Sequence, residues 1–260
     1  MWSWTDPERV QQIATKKIPI VEGVKVSDRQ ELITGYDQGA IERASVLVIG
    51  AGGICGEISE GLVRKGVGRE MILDHDFVDR TSLNRQFFFE SDIGKFKAPR
   101  LAVNLAQHAT CGSELIGYAL SFQDAVALGL DLTCSVVICG VDNGETRIAV
   151  SQYFWPRKTP VIYLAVDHSG EAGGIFVSEP PGPCWGCPFP RSYRGPKAAC
   201  RTPACKDTLK LIAAFGLYAV DSLIMNRKRA WNLRQIHLAG FAPDVQLQIE
   251  RRPDCPLCHE

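Results

Sequence analysis

Four of the ten cysteines fall into two C-x-x-C pairs, Cys184 and Cys187 in PCWGCP and Cys255 and Cys258 in PDCPLCH. Thiolates at that spacing, between proline turns, each clamp one side of a tetrahedral ion, and four together suit a closed structural Zn2+ site. Between the pairs lie 67 residues, so such a site ties the C-terminal segment back onto the chain; His259 could substitute as a ligand but reads as a terminal surface residue. Two redox dithiols are the competing reading, but neither pair opens a helix of a thioredoxin-like unit. Between the pairs, RSYRGPKAACRTPACKDTLK sets Cys200 between Lys197 and Arg201, and Cys205 before Lys206 at the expected start of a helix. Nearby cations and a helix N-terminus both depress a thiol pKa. Either cysteine is therefore a candidate nucleophile, against the reading that both are unreactive loop thiols. Cys55, Cys111, Cys134 and Cys139 read as small core hydrophobes.

A second set of residues is suited to phosphate. GAGGICG, from Gly50 to Gly56, follows an apolar run and precedes a helical pattern. Gly50 and Gly52 permit a tight turn and let the backbone approach a phosphate at the helix N-terminus, where N–H groups and the dipole favour anions. The third glycine of a strict G-x-G-x-x-G is replaced by Cys55, with Gly56 one place later. Asp74 ends the next strand 24 residues after Gly50, where a carboxylate accepts ribose hydroxyls. A triphosphate carries more charge than a dinucleotide and needs cationic side chains and Mg2+. Arg85 in SLNRQ, Lys97 in DIGKFK and Asp142 in CGVDN offer them. Each has a plainer role taken alone: a turn cap, a solvated helix start, an Asx turn.

Apolar periodicity supplies the elements. SVLVIG, MILD, LIGYAL, SVVICGV and VIYLAV read as strands, with helices expected at Ile58–Arg64, Lys97–His108, around Gln123, at Thr146–Tyr153 and at Asp207–Met225, and a closing strand VQLQIERR. Strands this apolar fit an α/β, Rossmann-like, mostly parallel sheet with helices on both faces, plus a C-terminal part stapled by the cysteines. Residues 1–25 carry no fold signature and read as an extension that docks on a partner. The 29 Lys and Arg balance the 29 Asp and Glu, so no global field is available to hold nucleic acid or an anionic membrane. The charged N-terminus and the absence of a long uncharged apolar run point to a soluble, cytoplasmic protein.

Taken jointly, these motifs resemble the ThiF/MoeB/HesA family, bacterial relatives of the ubiquitin-activating enzymes, from about Arg29 to the C-terminus. The likeness is carried by Arg29 and Gln30, GAGG at Gly50, Gly52 and Gly53, Asp74 and Asp76, SLNRQ with Ser82, Asn84, Arg85 and Gln86, Lys97, the DN…TR of Asp142, Asn143, Thr146 and Arg147, and the cysteine pairs. It implies an adenylating domain over residues 26–260, with a nucleotide-binding half at about 44–168 and a zinc and crossover-loop half at about 169–260. The implied reaction is attack of a C-terminal carboxylate on the α-phosphorus of ATP, giving an acyl-adenylate and pyrophosphate. The implied substrate is a small ubiquitin-fold or sulfur-carrier protein ending in glycine, and the implied assembly is a homodimer. By position Asp74 is the ribose ligand, Asp142 the Mg2+ ligand, Arg85 and Lys97 the phosphate clamps, and Arg29 an arginine donated to the partner subunit's site. Cys205 is favoured over Cys200 as the cysteine of any later transfer. The family's usual asparagine is Ser82 here, which shortens a phosphate or ribose contact.

Other readings keep part of this set. Adenylation of a ribosomal peptide in natural-product maturation uses the same chemistry. A branch acting on a modified tRNA base fits poorly with the neutral charge and the four cysteines. An inactive scaffold half of a heterodimer would lose catalytic side chains, yet Arg29, Arg85, Lys97 and Asp142 stand together. A nicotinamide dehydrogenase leaves the cations and cysteines without a purpose. With the chain ending soon after the second knuckle, sulfur delivery or ligation is expected from separate proteins, and thioester, thiocarboxylate and amide all stay open as products.

Overall fold

In the computed structural model, residues 6–167, 169–190 and 203–258 are described. The apolar runs become the inner strands β2 (Ser45–Ile49), β3 (Arg69–Leu73), β4 (Glu114–Tyr118), β5 (Val136–Cys139) and β6 (Val161–Val166). They pair in parallel in the order β4-β3-β2-β5-β6. Successive side chains of a strand point to opposite faces, and both faces here are covered. Val46, Val48 and Ile72 pack under α3 (Gly53–Lys65), α4 (Lys97–Ala106) and α7 (Lys206–Ile224). Leu47, Ile49 and Met71 pack on the opposite side against α5 (Phe122–Ala127) and α6 (Gly144–Phe154). Two-sided burial is why these strands read as unbroken apolar runs.

The sheet is parallel through its centre, as expected, and mixed at its edges. Four outer strands run antiparallel: β1 (Val10–Ala14) against β4, then β7 (Ala172–Ser178), β8 (Leu233–His237) and β9 (Val245–Leu247) beyond β6. Only a short turn joins β6 to β7, too short for the crossover that a parallel neighbour requires. The sheet therefore continues across the boundary expected between the two halves. β1 lies within the segment read as an extension. Its VQQIA sequence is polar because it is an edge strand in which Ile13 alone reaches the core. Two short helices, α1 (Asp28–Glu31) and α2 (Gln38–Arg43), precede β2. Among the described residues no helix is long and apolar enough to cross a membrane.

Candidate active site

The glycine turn starts α3 directly. Gly50 has φ +102°, a conformation only glycine adopts cheaply, and Gly52 is the N-cap of α3 with no side-chain cap on the helix. A Cβ at Gly52 would meet nothing within 4 Å, so the space above the uncapped N–H groups is open. Gly53 has a packing reason instead, since a Cβ there would come within 2.4 Å of Leu209 Cδ1 on α7. Cys55 fills the third-glycine position because β5 gives way. Its Sγ would lie 2.3 Å from a Cβ at Gly140, so glycine at 140 replaces the glycine missing at 55.

Asp74, at the end of β3, binds the turn. Its Oδ2 accepts the Ala51 N–H at 2.7 Å and its Oδ1 the Asp76 N–H at 2.8 Å. Burial raises its carboxyl above the usual carboxylate range, with the Lys97 charge opposing the shift. Lys97 opens α4, and its largely buried ammonium reaches Asp76 Oδ2 at 3.0 Å. The SLNRQ turn lies against the first turns of α3. The Arg85 carbonyl is 3.4 Å from a Cβ built at Gly53, and Phe87 Cβ 3.2 Å from one at Gly56. Ser82 is buried in a capping box with Asp79, whose carboxylate accepts its N–H at 3.0 Å. The Arg85 guanidinium donates to the Thr81 carbonyl and to Asn84 Oδ1, and the buried Gln86 Oε1 has no hydrogen-bond partner among the described residues.

Asp142 follows β5 at the same carboxyl edge of the sheet, where open α/β folds bind ligands. Its side chain is exposed, and no hydrogen bond or ion pair holds it among the described residues. The loop that carries it is held on both sides. Asn143 caps α6 by accepting the Thr146 N–H at 2.8 Å. Arg147 donates from Nε and Nη2 to the Val141 carbonyl at 3.0 and 2.6 Å, and from Nη2 to the Leu164 carbonyl at 3.0 Å. Burial pulls the Arg147 pKa below its ordinary value.

Cys205 is exposed at the N-cap of α7, with Sγ 3.3 Å from Thr208 Oγ1. The neighbouring Lys206 is committed elsewhere, to the Glu57 carboxylate and the Arg85 carbonyl. Sequence reasoning counted Lys206 toward Cys205 and missed Glu57, a residue with no motif to flag it. Cys200 lies outside the described residues. Burial pushes the Cys139 thiol up to about 11 and the Cys134 thiol up to about 12, and raises that of Cys55. These are unreactive core positions.

Cys184, Cys187, Cys255 and Cys258 are all buried and converge, their sulfurs lying within 4.8 Å of one another. The closest pairs are 3.4 Å (Cys184–Cys255), 3.6 Å (Cys187–Cys258) and 3.9 Å (Cys184–Cys187). Thiolates about 2.3 Å from a tetrahedral Zn2+ lie about 3.8 Å apart, so the donor set has the size of that ion's shell.

Arg29 sits apart from all of this. It is exposed on α1, next to Gln30, which together with Gln38 lies against the Lys65 carbonyl at the far end of α3. That is about 18 Å of helix rise from the glycine turn, out of an arginine's reach within one chain.

Residues 27–257 match the ThiF family. The chain belongs to that family. It is 28% identical over 237 residues to the sulfur carrier protein adenylyltransferase of Thermus thermophilus, covering 85% of this chain and 84% of that protein. It is 30% identical over 228 residues to the adenylyltransferase and sulfurtransferase MOCS3 of Bos taurus, covering 84% of this chain. The chain spans about half the length of that protein, 48%. Among solved structures, E. coli MccB with ATP has the same fold, with a TM-score of 0.68 at 20% identity, over 85% of this chain and 68% of that one.

Proposed function

We propose that this ThiF-family chain uses ATP to adenylate the C-terminal carboxylate of a small ubiquitin-fold or sulfur-carrier protein, acting in the cytoplasm. The observation that carries the proposal is the convergence at the head of α3: an uncapped helix N-terminus under open space, Asp74 bound to the turn, the Lys97–Asp76 pair, and an exposed Asp142 on a braced loop. The α3 N–H groups receive phosphate oxygens, and Asp74 takes the ribose. Lys97 and Arg85, the latter freed from its own turn, offset charge as the carboxylate oxygen bonds to the α-phosphorus and the bond to the leaving pyrophosphate breaks. Asp142 would hold Mg2+, which supplies charge neutralisation along the triphosphate. The four-cysteine cluster would hold Zn2+ as a structural ion.

The reading includes a homodimer. Arg29 cannot reach its own glycine turn, and exposed aliphatic residues lie near it in sequence, with Val21 62%, Val24 62% and Leu32 80% exposed. Exposed aliphatic side chains in the same segment as an exposed cation favour a partner subunit that receives Arg29 in its own site. Cys205 is the proposed acceptor where a covalent transfer follows. The test is ATP/pyrophosphate exchange, which should appear only with a carboxylate-ended carrier protein and vanish in Asp142→Ala. Exchange at the wild-type rate in Asp142→Ala would remove its role, and exchange supported only by a short ribosomal peptide would move the substrate to that class.

A further inference from the structure

Arg147 is a half-buried cation, and among the described residues no carboxylate lies within salt-bridge distance of it. Stripping a guanidinium of water without pairing it is costly, so its contacts are informative. Three of its hydrogen bonds go to main-chain carbonyls, two of them to Val141, the residue immediately before Asp142. The guanidinium carbon lies over the ring of Trp185, 4.9 Å from its centroid. Arginine is suited to this because a planar, weakly hydrated cation can stack on an indole while its edge donates in a fixed fork. Trp185 is itself immobilised. It is 6% exposed, its main-chain N–H donates to Ser151 Oγ at 3.3 Å, and its ring packs against Phe189 at 4.1 Å and Tyr163 at 4.7 Å. It also stands inside the first cysteine knuckle, between Cys184 and Cys187.

We infer that Trp185 is a positioning residue for Asp142, acting through Arg147, so that the four-cysteine cluster sets the geometry of the proposed Mg2+ ligand. The inference rests on the adenylation reading for what Asp142 does. The knuckle carries the indole, the indole supports the guanidinium from below, and the guanidinium holds the Val141 carbonyl. On the other side Asn143 is pinned by its cap to Thr146. Asp142 is thereby presented with its carboxylate free while its backbone is fixed on both flanks. This is the role that orienting partners play behind metal ligands.

The experiment uses the full chain, with zinc content measured on every sample. ATP binding is followed by calorimetry across a Mg2+ titration and again in EDTA, for wild type, Trp185→Leu, Trp185→Phe and Arg147→Lys. Removing the stack in Trp185→Leu should raise the Mg2+ concentration for half-maximal effect by about 10-fold or more. Binding in EDTA and zinc per chain should stay unchanged, and Trp185→Phe, which keeps a flat ring, should recover most of the loss. A Mg2+ response in zinc-loaded Trp185→Leu equal to wild type overturns the inference. Should that variant lose zinc or fail to fold, Arg147→Lys decides with the knuckle intact: it keeps the charge but not the paired donors, and an unshifted Mg2+ response there overturns the inference. No Mg2+-dependent ATP binding in the wild type would remove the adenylation reading and this inference together.

Discussion

Glu70 gives the sharpest test of how this core is balanced. It lies on β3, paired across the sheet with Val46 and Leu115, and is fully buried. Neither carboxylate oxygen has a hydrogen bond of good geometry among the described residues, although the buried Ser59 hydroxyl lies close enough to interact. Burial pushes the Glu70 carboxyl from 4.5 up to about 7, with only Ser59 opposing. The folded state therefore holds a proton that the unfolded chain releases above about pH 4.5. In that window the native state binds more protons, so stability falls as pH rises, and the loss levels off above about pH 7. At about 1.4 kcal/mol per unit of pKa, the Glu70 contribution costs about 2 to 3 kcal/mol between pH 5 and pH 8. Glu70→Gln keeps the shape and removes the titration. Urea unfolding of both proteins at several pH values should show Glu70→Gln gaining about 2 to 3 kcal/mol relative to wild type over that range. A difference that stays constant from pH 5 to pH 8 would refute the argument, whatever its absolute value, because the penalty for burying the amide itself does not depend on pH.

The cysteine cluster should hold one zinc per chain, and Cys184→Ser or Cys255→Ser should lose it along with much of the stability of the C-terminal segment. Structural zinc binding energy is folding energy, about 10–16 kcal/mol in small domains, so metal analysis and thermal melts should move together. Cys205→Ala should keep pyrophosphate exchange while stopping covalent transfer, read as loss of a thiol-sensitive carrier adduct; full transfer in both Cys205→Ala and Cys200→Ala, and in the double mutant, would leave the chain without a catalytic cysteine. Arg29→Ala and Asp142→Ala should each be inactive alone, yet mixing them with subunit exchange should restore roughly a quarter of wild-type activity. Half the dimers become heterodimers, each with one site carrying both lesions and one carrying neither. No recovery despite demonstrated exchange would put Arg29 in its own subunit's service.

The central strands were legible because burial on both faces writes itself as continuous apolar sequence, as in SVLVI and VVIC. The head of α3 was legible because Gly50 needs a positive φ that the residue type announces. The cysteine pairs were legible because C-x-x-C spacing on each of two turns announces a four-thiol cluster, which the structure brings together. β1 was not, since a polar edge strand has one partly buried, core-facing side chain to show, and β7 and β8 were hidden by glycines and by a helix intervening in sequence.

Sequence alone determined the chemistry on offer: which thiols, cations and carboxylates exist and which of them stand at turns that a strand and a helix must flank. Only the tertiary structure decided their company. It set Gly140 opposite Cys55, drew Lys206 away from Cys205 to Glu57, left Arg29 at the wrong end of α3 for its own site, and laid Trp185 under the arginine that braces Asp142. The physical reason is that spacing along the chain specifies short-range geometry through backbone turns and helix periodicity. Contacts between residues tens of positions apart depend on how whole layers pack, and no local pattern encodes that.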